Sequence, residues 1–335
     1  MVAEENPEET KEVAQEAAWL HARNVGYRLK GQQLLWKIDV QLQPSLVTAV
    51  LDRASGKTLM DALSGRGPGE RTGDVLVNGR SVVSRKKLRS LISYVPREED
   101  LPYERLTVRQ VLTSSALLRC PGTQDQKLAH VEATLEELEL KELADRVVGD
   151  LDVEHRKAAA VAIELLTPRP LLFVDDAPLA TLRRAAQRES RTVLVTALGP
   201  SEHHDRLLLL SGGTVTFDGP PSALLTHFDA AGGATPPEPH DAATHVVELL
   251  TGHKQNWAEV WAESEARKKL LADADDNVRD LAAKPSPLVD DVDGCTDEED
   301  DLEEQDATHD VNPREKRRRA RSASQVLADL QNLHT

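Results

Sequence analysis

The fold of this chain is limited most strongly by one short segment, residues 51–58, which read LDRASGKT. The apolar run 46–50 before it predicts a buried strand, and residues 59–65 after it predict a short helix ended by Gly65. A strand, a loop with Gly-Lys-Thr and a helix together form the setting of a phosphate-binding P-loop. The pattern G-x-x-x-x-G-K-[ST] fails at Leu51, which stands in place of the first glycine. The segment therefore predicts a nucleotide site, with a chance Gly-Lys-Thr on a surface turn as the alternative.

Four residues of this segment are candidates for binding a nucleotide, namely Ser55, Gly56, Lys57 and Thr58. In a P-loop, backbone N–H groups at a helix N-terminus converge on phosphate oxygens, and glycine lets the phosphate approach closely. The lysine ammonium reaches the terminal phosphates, and the threonine hydroxyl holds Mg²⁺. We therefore predict that Lys57 contacts the terminal phosphates of the nucleotide and that Thr58 is a ligand of Mg²⁺.

A second acidic motif ends another apolar run, in residues 171–176, which read LLFVDD. In P-loop NTPases a hydrophobic strand ends in an aspartate that engages Mg²⁺, and Asp175 fits this role. Asp176 stands where a transport ATPase keeps a glutamate as general base, and we predict it as the catalytic residue. Aspartate can do this chemistry, but its side chain is one methylene shorter and has less reach. The alternative is a pair of capping or solvated acids at a strand end.

The composition argues against several classes of protein. A formal net charge of -16 over 335 residues argues against a nucleic-acid-binding protein. The two cysteines, Cys120 and Cys295, are far apart, which argues against a thiolate metal site and fits a reducing compartment. No signal peptide is visible, and the longest apolar runs, such as residues 207–210, are much shorter than the roughly 20 residues that span a bilayer. We therefore expect any membrane role to depend on a partner.

The chain divides into four predicted regions: a disordered acidic leader over 1–17, an α/β nucleotide-binding domain over 18–235, a helical extension over 236–285, and a largely disordered tail, acidic and then basic, over 286–335. Short apolar strands alternate with helices in the second region, which predicts a largely parallel sheet covered on both faces. The predicted strands are 46–50, 74–80 with an Asn-Gly turn, 91–96, 171–176, 192–196, 205–210 and 213–219. The predicted helices are 59–65, 106–118, 128–140, 245–250 and 257–271.

Many short segments, in one order along residues 19–270, resemble the nucleotide-binding domain of ATP-binding cassette (ABC) transporters, and the G subfamily of White and sterolin-like half-transporters fits best. The segments are residues 59–66, 73–80, 92–96, 106–112, 144–149, 163–166, 207–213, 219–222 and 228–232. The resemblance implies a P-loop NTPase cassette of ABC type, with a mixed sheet core, helices and a helical subdomain. It also implies ATP and Mg²⁺ as cofactors, a transmembrane domain or half-transporter as partner, and a second nucleotide-binding domain in a homodimer or heterodimer. The cassette would then lie at the cytoplasmic face of a membrane, bound through its partner.

Several motifs of this family are degenerate in the chain. The glutamine of the Q-loop, which links Mg²⁺ to the transmembrane partner, falls at Arg97. The signature segment, normally rich in glycine, reads DVEH at residues 152–155, and its acids would repel the γ-phosphate that the opposing domain binds. The D-loop is missing at residues 177–181, and the switch histidine aligns with Leu198, which cannot hydrogen-bond a phosphate. These losses imply that hydrolysis is impaired.

Three further features leave alternatives open. Tyr27 would stack on adenine as the aromatic residue of the family's A-loop does, or it is a half-buried strand tyrosine. His203 and His204 follow the switch position on a predicted helix start, and we expect solvated residues there rather than catalytic ones. The basic residues 314–321 and the serines after them resemble a kinase site, a nuclear signal or a patch for anionic lipid, or they form a solvated linker.

Four hypotheses about function follow from these residues. The first is a subunit or fragment of a G-type transporter that binds ATP with Mg²⁺, couples it to transport of a lipid-like substrate, and hydrolyses it poorly. The second is an active ATPase that uses Asp176 as its base. The third is a scaffold that kept the fold and lost the nucleotide, and the fourth is a truncated or faulty gene product.

Overall fold

Two β-sheets with helices packed on them form the described part of the chain. The computed structural model describes residues 16–97, 103–176, 179–188, 190–197, 199, 201, 203–230 and 256–290. The strands are β1 (Leu20–Leu29), β2 (Gln32–Leu42), β3 (Val47–Leu51), β4 (Glu70–Val77), β5 (Arg80–Ser81), β6 (Ile92–Val95), β7 (Leu171–Asp175), β8 (Thr192–Ala197), β9 (Arg206–Ser211) and β10 (Thr214–Gly219). The helices are α1 (Arg53–Ser64), α2 (Arg85–Leu91), α3 (Val108–Arg119), α4 (Gln124–Glu137), α5 (Val153–Leu165), α6 (Leu179–Arg188), α7 (Pro221–Ala230), α8 (Trp257–Glu263), α9 (Glu265–Ala282) and α10 (Pro287–Asp290).

The larger sheet has the strand order β10-β9-β3-β8-β7-β6. Neighbouring strands from β9 to β6 are parallel, and β10 pairs with β9 as an antiparallel hairpin. This arrangement confirms the predicted largely parallel sheet. Because the strands from β9 to β6 run in one direction, the carboxyl ends of β3, β8, β7 and β6 lie together at one edge of the sheet.

The second sheet, β2-β1-β4-β5, is antiparallel throughout. Its strands β1 and β2 are absent from the sequence-based predictions, because register shifts along β1 and left-handed residues at Asn24 and Lys37 interrupt a simple alternation of side chains. Strands β4 and β5 are joined by Asn78 and Gly79, with φ angles of 48° and 78°. The predicted Asn-Gly turn is therefore confirmed, since both central residues of such a turn need positive φ.

The larger sheet is buried on both faces, as its continuous apolar strands predict. On β3, Ala49 faces a core with helices α3 to α8, whereas Val50 faces a core with α1, α2 and the antiparallel sheet. On β7, Leu172 lies in the same core as Ala49, and Phe173 lies in the same core as Val50. Successive side chains of a strand point to opposite faces, so one short apolar run contributes to both cores.

Helix α1 is longer at its N-terminus than the sequence predicts, because it begins at Arg53 rather than at Leu59. The predicted end is confirmed, since Gly65 is the C-cap with a left-handed φ of 66°. The predicted loop before the helix is wrong for most of its length. Asp52 is a strong N-cap and Ala54 favours helix, so this segment continues as helix where glycines would have left it open.

The predicted helix over residues 257–271 is divided into α8 and α9 at Ser264. The backbone of Ser264 is extended, and its hydroxyl oxygen accepts a hydrogen bond from the N–H of Arg267 as the N-cap of α9. Trp257 and Trp261 of α8 are buried in the core on the α3 side of the larger sheet. Helix α8 thus packs against this core through aromatic side chains.

Several predictions lie outside the described residues. They are most of the leader over 1–17, the boundary between residues 235 and 236, the helix over 245–250, and most of the tail over 286–335. No helix in the described ranges combines the length and the apolar character needed to cross a membrane.

Candidate nucleotide-binding site

The candidate site lies at the carboxyl edge of the larger sheet, where four parallel strands end side by side. Asp52 follows β3, Arg97 follows β6, Asp175 ends β7, and Thr196 is near the end of β8. These residues are distant in sequence, and the parallel topology brings them to one edge of the sheet. The carboxyl edge of an open α/β sheet is where ligands usually bind.

The first turn of α1 is closed by the carboxylate of Asp52. Its Oδ1 accepts a hydrogen bond from the N–H of Ala54 at 3.1 Å, and its Oδ2 accepts one from the hydroxyl of Ser55 at 2.6 Å. The N–H of Gly56 donates to the carbonyl oxygen of Asp52 at 2.7 Å, as in a regular helix. The predicted phosphate-binding residues Ser55 and Gly56 therefore bond to Asp52 in this structure.

The side chains of Lys57 and Thr58 also bond within α1. Nζ of Lys57 is 3.1 Å from Oδ2 of Asp61, one helical turn further on, and the lysine side chain is 56% exposed. The hydroxyl of Thr58 donates to the carbonyl oxygen of Ala54 at 2.9 Å. Because the lysine end of this pair is open to water, Lys57 keeps the freedom to turn toward a ligand, whereas Asp61 is only 20% exposed.

Asp61 is a site residue absent from the sequence-based predictions. Its Oδ1 accepts a hydrogen bond from the hydroxyl of Tyr94 at 3.1 Å, and its Oδ2 pairs with Lys57. Burial, followed by the charge of Asp61, raises the pKa of Tyr94 above its usual range, so the phenol remains a donor to Asp61. The available signal was the four-residue spacing from Lys57, which places both side chains on one face of a helix.

Gly56 lies where α1 passes close to the larger sheet. A Cβ atom at this position would be 2.9 Å from Cγ2 of Thr196 and 3.2 Å from Cγ1 of Val50. These short distances leave no room for a larger residue unless α1 moves away from β3 and β8. Close packing therefore accounts for the retained glycine of the motif independently of phosphate binding.

Thr196 hydrogen-bonds to both acidic residues at the end of β7, to the side chain of Asp175 and to the backbone of Asp176. Its hydroxyl donates to Oδ1 of Asp175 at 2.5 Å and accepts a hydrogen bond from the N–H of Asp176 at 3.0 Å. Asp175 is 2% exposed, so the alternative of a solvated acid is wrong for this residue. Thr196 was not predicted as a site residue, although it lies two residues before the switch position at Leu198, because a threonine inside an apolar strand does not indicate which side chains it contacts.

Two cationic side chains lie beside these acids. Nε of Arg97 is 3.5 Å from Oδ2 of Asp176, in a pair whose side chains are 42% and 41% exposed, so the attraction is modest. Nζ of Lys157, which is buried, donates to the carbonyl oxygens of Asp175 at 2.5 Å and Pro96 at 2.7 Å. Arg97 therefore pairs with the carboxylate of Asp176, whereas Lys157 joins the backbone at the ends of β6 and β7.

The signature segment forms the N-terminus of α5, which is also closed by an aspartate. Oδ1 of Asp152 accepts a hydrogen bond from the N–H of His155 at 2.9 Å, and Oδ2 is 2.7 Å from Nδ1 of the same histidine. The backbone hydrogen bond from His155, followed by its side-chain hydrogen bond, lowers the pKa of Asp152. A charged carboxylate therefore lies at the positive end of the α5 dipole, where an external anion would otherwise be attracted.

Tyr27 of β1 is buried, with 3% of its surface exposed. Its hydroxyl accepts a hydrogen bond from the N–H of Gly69 at 2.7 Å, and burial raises the pKa of the phenol. Gly67 and Gly69 pack so closely that Cβ atoms there would lie 2.2 Å from the hydroxyl oxygen and 2.5 Å from Cζ of Tyr27, respectively. Adenine stacking stays a prediction that requires the ring to become exposed, and the present packing favours the structural alternative.

His203 and His204 lie in the turn before β9, at the amino edge of the larger sheet. Because β9 is parallel to β3, this turn and Asp52 are at opposite ends of the strands, which rules out the catalytic alternative for both histidines. The predicted solvated state is wrong for His204, which is buried, and burial lowers its pKa to about 4. The predicted helix start is also wrong, because the described residues here form a turn.

In this conformation Asp52 occupies the N–H of Ala54 and the hydroxyl of Ser55, so the residues of the motif fit a phosphate group only once that carboxylate has moved. Within the described part of the chain, no group of three or more His, Cys, Asp or Glu side chains could hold a metal ion. Mg²⁺ usually takes one or two carboxylates together with substrate phosphates, so Asp175 and Thr58 would bind it only with the nucleotide. Leu198 and the first two residues of the segment 177–181, where the sequence predicts that the D-loop is missing, lie outside the described residues.

Curated relatives share extensive sequence similarity with the chain, although no protein-family model matches it. The ABC multidrug transporter MDR3 of Trichophyton rubrum is 30% identical, over 83% of this chain and 21% of its own length. The ABC multidrug transporter A-2 of Aspergillus fumigatus is 31% identical, over 83% and 21%. The brefeldin A resistance protein of Schizosaccharomyces pombe is 30% identical, over 82% and 21%. The chain therefore spans about a fifth of the length of these relatives.

A solved structure shares the fold. It is that of cbiO1 from Clostridium perfringens, described as part of the ABC transporter complex cbiONQ. The TM-score is 0.57 with 19% sequence identity, over 70% of this chain and 100% of that chain. At this identity the likeness shows the fold alone, and it confirms the predicted fold class.

Proposed function

This chain belongs to the nucleotide-binding cassettes of ABC transporters, and we propose that it serves a G-type transporter as a cassette that holds ATP with Mg²⁺ and hydrolyses it poorly. It would act beside a transmembrane domain or half-transporter and a second nucleotide-binding domain, at the cytoplasmic face of a membrane. The G-type order of segments over residues 19–270 supports this subfamily. We propose a lipid-like substrate, and relatives named as multidrug transporters support the transport of small compounds.

The ion pair between Arg97 and Asp176 carries the proposal of poor hydrolysis. A general base must hydrogen-bond the water that attacks the γ-phosphate. The guanidinium of Arg97, 3.5 Å from Oδ2 of Asp176, competes with water for that oxygen. Because the aspartate side chain is also one methylene shorter than glutamate, its remaining reach toward a nucleotide is small.

The N-terminus of α5 also supports poor hydrolysis, because it would act on the nucleotide that the partner cassette binds. In the family, this helix end faces the γ-phosphate bound by the opposing domain. Here the carboxylate of Asp152 accepts the N–H of His155 at 2.9 Å and brings a negative charge to that position. Repulsion between this carboxylate and a phosphate would weaken closure of the two cassettes around ATP.

We expect this chain to hydrolyse ATP no faster than its Asp176→Asn variant, which keeps the size of the side chain and removes the base. Phosphate release in Mg-ATP would be measured for the chain alone and with the intact nucleotide-binding domain of a related multidrug transporter. A double variant, Arg97→Gln with Asp176→Glu, should gain activity in the mixture if these two positions limit hydrolysis. A wild-type rate clearly above the Asp176→Asn control would show that Asp176 is an active base and would reject poor hydrolysis.

A scaffold without nucleotide is the second candidate function. The observation in its favour is the closed first turn of α1, in which Asp52 takes the N–H of Ala54 and the hydroxyl of Ser55. The retained Gly56 does not decide between the two functions, because packing against Thr196 also requires it.

Thermal unfolding with and without Mg-ATP separates these two functions. A ligand at 100 times its Kd adds about 2.7 kcal/mol to the free energy of unfolding. For a domain of this size that corresponds to a rise in Tm of roughly 5–10 °C. We expect such a rise for the wild-type chain and its loss in Lys57→Ala. An unchanged wild-type Tm at millimolar Mg-ATP would favour the scaffold.

A further inference from the structure

Asp52 places an anion where the P-loop segment would receive phosphate. Its carboxylate accepts hydrogen bonds from the N–H of Ala54 at 3.1 Å and from the hydroxyl of Ser55 at 2.6 Å. The positive end of the α1 dipole attracts this negative charge further. Backbone N–H groups at the start of a helix after a β-strand are the groups with which P-loops bind phosphate. The carboxylate of Asp52 therefore satisfies the same donors as a phosphate group would.

The backbone of Asp52 is held in a conformation that residues other than glycine rarely adopt. Its φ is 117° and its ψ is 98°. Such a conformation persists only where surrounding contacts compensate for its strain. The two hydrogen bonds of the carboxylate are contacts of this kind. We therefore infer that the backbone conformation of Asp52 depends on the binding of its carboxylate to Ala54 and Ser55. Once these two hydrogen bonds are lost, the backbone of Asp52 can relax to a less strained conformation.

We propose that Asp52 is a built-in competitor of the nucleotide phosphate, which binds only after this carboxylate has left Ala54 and Ser55. The inference rests on the proposed function, since it concerns the access of ATP to the same site. The N–H of Gly56, now bonded to the carbonyl oxygen of Asp52, becomes available when the first turn of α1 opens. The wild-type chain therefore binds ATP more weakly than its Gly-Lys-Thr sequence suggests.

The lysine of the motif, Lys57, is accessible to a ligand once Asp52 has moved. The side chain of Lys57 is 56% exposed, and its ion pair with Asp61 joins two residues of one helix surface. Such a pair is weak and exchanges readily for a phosphate oxygen. Competition by Asp52 thus explains why the first turn of α1 is bonded to this carboxylate although Gly56, Lys57 and Thr58 are retained.

Two substitutions of Asp52 test this inference. Asp52→Asn keeps the hydrogen-bonding capacity of an N-cap and removes the charge. Asp52→Gly removes the side chain and adopts positive φ without strain. The matched control is Asp280→Asn, which removes the same charge from an exposed position on α9. The probes are a fluorescent ATP analogue with Mg²⁺ and inorganic tripolyphosphate, which competes without adenine or ribose. Circular dichroism and urea unfolding establish that each variant is folded.

We expect both Asp52 variants to bind the ATP analogue and tripolyphosphate about tenfold more tightly than the wild-type chain, because a unit charge next to a phosphate is removed. The Asp280→Asn variant should bind like the wild type. Equal affinities of the wild type and both Asp52 variants would overturn the inference and leave the proposed function in place. Binding by the Asp52 variants alone would support the inference and reject ATP binding by the natural chain. If no variant binds either probe, both the inference and the proposed function are wrong.

Discussion

Replacing Gly213 with alanine is expected to lower the free energy of unfolding by about 3–5 kcal/mol. Gly213 has a φ of 78°, and a Cβ atom there would lie 2.0 Å from the carbonyl oxygen of Leu34 and 2.9 Å from its carbonyl carbon. The clash is with backbone, which cannot rotate away like a side chain. The carbonyl oxygen of Gly213 also accepts the N–H of Trp36 at 2.8 Å, so the β9–β10 hairpin cannot separate from β2 without losing this bond.

Gly212 offers a matched control in the same turn. It also has positive φ, at 56°, but a Cβ atom there would have no atom within 4 Å. Gly212→Ala should therefore cost about 1 kcal/mol, the ordinary penalty of a left-handed alanine. Urea unfolding of both variants checks the difference. Equal losses for the two substitutions would show that the contact between the hairpin and β2 does not restrict this turn.

Acidification from about pH 7 to pH 4 is expected to remove up to about 3 kcal/mol of stability for each of two buried histidines. For His21, burial and then the charge of Arg23 lower the pKa to about 4. For His204, burial and then the charge of His203 lower it to about 4. In the unfolded chain both groups return to about 6.5. Between these values the unfolded state binds protons that the folded state does not, so the free energy of unfolding falls as pH falls.

A His21→Phe variant isolates one of these contributions from the carboxylates, which also titrate in acid. The ring of His21 stacks on Trp19 with centroids 6.1 Å apart, and phenylalanine keeps such a ring without a titrating nitrogen. Urea unfolding of wild type and variant between pH 7 and pH 4 gives the difference in slope. The variant should lose clearly less stability than the wild type as pH falls. Parallel pH profiles would contradict the assignment of His21 as a buried neutral histidine.

The predicted strands were accurate where apolar runs are continuous. Strands β3 and β7 are buried on both faces, so nearly every residue is apolar and a short window of sequence identifies them. Strands β1 and β2 were not predicted, because register shifts between them break the alternation of apolar and polar side chains that identifies a strand. The turn at Asn78 and Gly79 was predictable because its φ angles follow from the two residues themselves.

The sequence identified individual residues of the candidate site, but it did not indicate which of them contact each other. Arg97 and Asp176 were each identified as departures from the family, but nothing local indicated that they meet at 3.5 Å. Their pairing depends on β6 lying next to β7 in the sheet. His204 was placed wrongly for a related reason, because its burial depends on a turn packed at the opposite edge of the same sheet.

The amino-acid sequence by itself determined the class of fold, the order of the motifs, and the survival of Gly56, Lys57 and Thr58 within a damaged P-loop. These properties follow from local patterns of apolar residues and from the chemistry of a few side chains. Only the tertiary structure decided that the first turn of α1 is closed by Asp52 and that Gly56 packs against Thr196. The cap at Asp52 is a local contact between residues at most three positions apart, but the glycine-poor P-loop pattern did not show that helix would begin so early. The contact between Gly56 and Thr196 joins residues 140 positions apart in sequence, so it depends on the packing of α1 against β8.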